Sequence, residues 1–92
     1  MKLEHLYTVF FEYEGGTYIS QIRGSSPSKA LHKWVETRTA EDFDRWKTNK
    51  DNLSIALKEG AMVPLDGAVN VWCISGTDNK KRLILVNIVA TE

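Results

Sequence analysis

Leu6-Tyr-Thr-Val-Phe-Phe-Glu-Tyr13, then Glu14-Gly15-Gly16, then Thr17-Tyr-Ile-Ser-Gln-Ile-Arg23 is the stretch that decides the fold. Two segments rich in aromatic and β-branched residues flank a glycine turn, which is the signature of a β-hairpin. In the first segment Leu6, Thr8, Phe10 and Glu12 share one face and Tyr7, Val9, Phe11 and Tyr13 the other. Apolar residues on both faces predict a strand covered on both sides for part of its length. The second segment alternates more cleanly and is predicted to lie near an edge. Gly15-Gly16 is expected to supply the positive φ angles of the turn.

A helix follows at once. Ser26 before Pro27 reads as an N-cap with proline at the first helical position. Ala30, Leu31, Trp34 and Val35 form one apolar stripe, while Lys29, His32, Lys33 and Glu36 point away from it. Thr39 with Asp42 three residues on resembles a capping box, opening a shorter stripe of Ala40, Phe43 and Trp46. Leu53 to Glu59 fits both a strand alternation and a helical stripe. Asp51 or Asn52 as cap and Gly60 as terminator favour the helix. Pro64 and Asp66-Gly67 mark a turn. Val69–Ile74 and Arg82–Ala90 are nearly continuous in β-branched and apolar character, as central or covered strands are. Gly76 to Lys81 joins them as a polar hairpin loop.

The expected fold is therefore α+β, a single domain over residues 1–92 in the order β-β-α-α-β-β. Its sheet is antiparallel and four-stranded, with two or three helices packed on one face. At 92 residues the chain has room for one core. Twelve basic and twelve acidic side chains cancel, so there is no bulk attraction to a phosphate backbone. Met1-Lys-Leu-Glu-His5 lacks the apolar run of a secretory signal, and Leu83–Ala90 is too short to cross a bilayer. One cysteine excludes an internal disulfide and a cysteine-built zinc site. The expectation is a soluble cytoplasmic protein without a membrane partner.

Chemistry finds few footholds. Cys73 is the only thiol, with His5 and His32 the only imidazoles; beside Trp72 and Ile74 it reads as a small buried hydrophobe rather than a nucleophile. The histidines show no metal-ligand spacing. Gly15-Gly16 precedes a strand, not a helix N-terminus, and so is no phosphate cradle. The reading is a non-enzyme with no catalytic residue, cofactor or metal. Two charged clusters stay open. Glu36, Glu41, Asp42 and Asp44, with the aromatic Trp46 nearby, either complement helix dipoles or present an acidic surface to a basic protein partner. Lys80, Lys81 and Arg82, with Lys29 and Lys33, either solvate a loop beside a very apolar strand or contact RNA or DNA. A homo-oligomer through Thr17–Arg23 as an edge strand is a further possibility.

Tyr18-Ile-Ser-Gln-Ile followed by Ser28-Lys-Ala-Leu-His-Lys-Trp34 resembles the N-terminal half of HicB-type antitoxins, which run strand, glycine turn, strand and helix. Arg23-Gly24-Ser25-Ser26 stands where that family carries a Pro-Gly-Cys-type segment, and no DNA-binding helix pair follows. Size and layout are also similar to those of small bacterial immunity proteins. Both resemblances imply a bacterial, non-catalytic protein-interaction module; a small nucleic-acid-binding domain is the alternative.

Overall fold

The computed structural model describes residues 4–59, 62–78 and 80–91. Gly60 as a helix terminator, the Met1-Lys-Leu start and Asn79 of the hairpin loop lie outside them. The elements are β1 (His5–Tyr13), β2 (Gly16–Gly24), α1 (Pro27–Glu36), α2 (Ala40–Trp46), α3 (Lys50–Glu59), β3 (Val63–Pro64), β4 (Val71–Thr77) and β5 (Leu83–Ala90). All strand pairs are antiparallel, in the order β2-β1-β5-β4-β3.

The sheet has five strands, not four. The extra one is β3, where Val63 and Pro64 pair with Cys73 and Trp72. Proline cannot donate to a ladder, so it belongs on an edge, and a two-residue strand leaves no periodicity to read. The hairpin turn also differs from expectation. Glu14 (φ 50°) and Gly15 (φ 79°) carry the positive φ angles, and Gly16 is already paired with Tyr13. Two consecutive positive φ values are what a two-residue I′ turn requires, matching the right-handed twist of the strands it joins.

The helices form as their local signals dictate. Ser26 Oγ accepts from Lys29 N–H at 3.2 Å with Pro27 opening α1. At α2 the capping box is complete: Asp42 N–H donates to Thr39 Oγ1 (3.1 Å) and Thr39 N–H to Asp42 Oδ2 (3.2 Å). Residues 53–59 are helical, as the helix reading of that ambiguous stretch has it. Its cap is Asn49, whose Oδ1 accepts from Asn52 N–H at 2.9 Å, rather than Asp51 or Asn52.

Burial assigns the faces. Tyr7, Val9, Phe11 and Tyr13 of β1 are buried together with Ile84, Val86 and Ile88 of β5, Ile74 of β4 and the stripe Ala30, Leu31, Trp34, Val35 of α1. Trp46 from α2 and Leu53, Ala56 and Leu57 from α3 complete this core. Phe11 lies at its centre, with ring centroids of Trp46 at 4.6 Å and Trp34 at 5.3 Å. Two glycines admit the helices closely. A Cβ on Gly24 would meet Ala30 at 2.8 Å, and one on Gly76 would meet the Ala56 carbonyl oxygen at 2.7 Å.

The opposite face of the sheet differs from the expectation of a β1 covered on both sides. Across the strands, Ile19, Phe10, Asn87, Cys73 and Val63 align in one row by register. All core partners of the described helices lie on the other face, so these side chains face away from the helical layer. Cys73 is accordingly half-buried on this face and not part of the core.

Candidate interaction surface

The acidic cluster divides in two. Glu36, at the end of α1, is bound to Lys50 Nζ at 3.3 Å, tying α1 to the start of α3. Asp42 is half-buried and committed to the capping box, with Arg38 at 3.7 Å and Arg45 at 4.0 Å. Both serve the fold. Glu41 and Asp44 are exposed and make no ion pair among the described residues. They line a shallow surface depression with Phe43, Lys47 and Thr48. Trp46 is only 4% exposed, so it does not reach this surface; Phe43, half-buried and edge-on to Trp46 at 6.0 Å, supplies its aromatic instead. An amphipathic helix end explains the difference: the residue at the inner edge of the stripe goes to the core, the one at its border stays half-wet.

The basic residues do not form one patch. Lys33 faces Glu4 (3.8 Å) at the entry of β1, whereas Arg82 reaches Glu14 (4.0 Å) just past its end. A nine-residue strand, about 30 Å long, separates the two positions. Lys29, Lys80 and Lys81 are exposed. Arg82 is engaged in structure, donating from Nε to Asp78 Oδ2 at 2.7 Å and lying over the Tyr13 ring at 5.0 Å.

That contact belongs to a polar latch that patterning alone does not reveal. Asp78, buried in the β4–β5 loop, accepts from the Tyr13 hydroxyl (2.5 Å), from Arg82 Nε, and from the backbone N–H groups of Lys80 and Arg82 (both 2.9 Å). Burial by itself pushes this carboxyl up, but the hydrogen bonds from Tyr13, Arg82 and Lys80 outweigh it and hold the group down at about 2. The Tyr13 phenol moves the other way. Burial first, then donation to the Asp78 carboxylate, push it well above its ordinary value, despite the Arg82 charge. A phenol so held is a poor acid and a poor nucleophile. The aspartate within a polar loop signals an Asx-type turn; its partnership with Tyr13, 65 positions away, has no local signature.

Other chemistry is kept apart. His5 contacts the Tyr7 ring on the helical side of the sheet and His32 is exposed on α1, while Cys73 faces the opposite side. The sheet therefore separates the thiol from both imidazoles. Among the described residues no group of three or more histidine, cysteine, aspartate or glutamate side chains is placed to hold a metal, and no helix is long and apolar enough to cross a membrane. No protein-family model matches the chain, and no curated protein or solved structure matches it.

Proposed function

We propose that this chain is a small non-catalytic protein-interaction module, of the immunity- or antitoxin-like kind, acting in the bacterial cytoplasm on a basic protein partner. The observation that carries the reading is the pair of exposed carboxylates Glu41 and Asp44, without ion-pair partners among the described residues, beside the half-buried ring of Phe43. Acids elsewhere in this region are neutralised by Lys50, Arg38 and Arg45. Charge left uncompensated at a surface costs the fold little and is available to steer a partner of opposite sign. An aromatic at the same surface supplies the apolar anchor such contacts use. The nucleic-acid alternative draws no comparable support, because its basic side chains are split between the two ends of β1 and one of them is held by Asp78.

The test is capture of tagged protein's partners from nuclease-treated host lysate, run in parallel with Glu41→Lys/Asp44→Lys. A stoichiometric basic partner retained by the wild type and lost by the folded variant supports the assignment. Equal retention by both removes these residues from the interface. Retention of nucleic acid in untreated lysate, weakening steeply with salt, would favour the alternative.

A further inference from the structure

The helix-free face of the sheet is the largest feature of the molecule that the fold does not use. At its centre Phe10 sits between Ile19 and Asn87, with Leu85 and Val89 to either side on β5. Ile19 is 63% exposed, Leu83 64% and Val63 49%. On a chain in which 26% of residues are charged, Glu12 and Arg23 are the charged side chains of this face. Depletion of charge about an aromatic and aliphatic centre is the composition of an interface core.

The geometry points to a second copy of this chain as the occupant, the two sheets packing face to face about a twofold axis. Three observations select it. First, the face carries one acid and one base and has no net charge. It offers no field for a polyanion or a basic partner, and an apolar, neutral face is what homodimer interfaces present. Second, the two charges lie at opposite ends of the β1–β2 hairpin, since Glu12 pairs with Thr17 and Arg23 with Leu6. An axis across the strands, midway between the Phe10 and Thr8 rows, lays the acidic row of one copy over the basic row of the other. The surface is thus self-complementary, as an isologous contact must be. Third, the area suffices. Strands about 4.8 Å apart and about seven residues long give a five-stranded face on the order of 550 Å². Two such faces bury about 1,100 Å², above the roughly 1,000 Å² that a specific interface needs. The aligned packing of twisted sheets about 10 Å apart provides the arrangement. This inference is independent of the acidic surface on α2, which lies on the helical side.

Cys73 provides a native reporter, because it sits in the Phe10 row and would be covered. Sedimentation equilibrium, together with the rate of Cys73 labelling by a thiol reagent across a concentration series, tests the assignment. The wild type is expected to dimerise, with labelling slowing as concentration rises. Ile19→Glu/Leu83→Glu, both at exposed positions, is expected to weaken association about a hundred-fold or more and to label at a concentration-independent rate. A wild type that stays monomeric at high micromolar concentration overturns the inference. So does a dimer that survives the double substitution with Cys73 freely labelled, which would place the contact elsewhere, such as the β2 edge. Because the wild type alone answers both questions, misfolding of the variant would not shield the inference.

Discussion

The Tyr13 hydroxyl donates to Asp78 Oδ2 at 2.5 Å and so fastens the last residue of β1 to the loop between β4 and β5. β5 lies between the two strands that this bond links. The latch therefore closes one end of the sheet across its central pair. Its carboxylate carries four hydrogen bonds, two from side chains and two from backbone N–H groups.

Asp78→Asn should cost about 2–4 kcal/mol, because it leaves the half-buried Arg82 guanidinium without its counter-charge and mismatches the donors. Urea unfolding at neutral pH measures this. An effect under about 0.5 kcal/mol would show that the latch is ornamental.

The same group sets an acid limb. With its folded value near 2 and an ordinary value near 4, Asp78 contributes stability that is fully present above about pH 4 and lost as pH falls toward 2. The wild type should lose stability over that window, and Asp78→Asn should flatten that limb. Tyr13 acts with the opposite sign. Its folded value is raised, so its contribution is present below about pH 10 and lost in alkali. Tyr13→Phe should remove that alkaline loss, as read by denaturation at stepped pH.

The two core tryptophans should respond unequally. Trp34 Nε1 donates to Ser20 Oγ at 2.7 Å, whereas the buried Trp46 Nε1 has no hydrogen-bond partner among the described residues. A buried orphan donor costs about 1–3 kcal/mol. Trp34→Phe loses both packing and a hydrogen bond; Trp46→Phe loses packing but relieves the orphan. We expect about 2–3 kcal/mol for the first and about half as much for the second. Equal losses would mean that the Trp46 indole finds water in solution.

Gly76→Ala should destabilise by about 1–3 kcal/mol, since its Cβ would press into the carbonyl oxygen of Ala56 at 2.7 Å and push α3 off β4. A thermal melt reads this as a drop of several degrees.

What was legible in the sequence was local. Ser26-Pro27, the Thr39/Asp42 box and the stripe ending at Val35 each announce a helix through contacts within a few residues, and each forms as written. The β2 alternation marks an edge because one of its faces is wet. What stayed hidden was long-range. Val63-Pro64 pairs only because β4 passes beside it, and Asp78 is buried only because Tyr13 and Arg82 arrive around it. The open sheet face was misread for a related reason. Apolar residues on both sides of β1 report that both sides avoid water, but not whether this chain supplies the cover. At the acidic surface, residue type alone could not separate Glu41 and Asp44 from Asp42, which the cap and Arg38 consume.

The central pairing of β1 with β5 has a kinetic meaning. Thr91 N–H donates to Leu6 carbonyl at 2.8 Å, so the earliest and latest described strands meet in the middle of the sheet. On a ribosome, the hairpin and all three helices emerge before the strand on which Val9 and Phe11 close. Until Leu83–Ala90 is released, that hairpin has an unsatisfied inner edge, and the aromatic core is open on one side. Such high-separation contacts make folding slow and post-translational, and leave the nascent chain dependent on protection from aggregation until its last strand arrives.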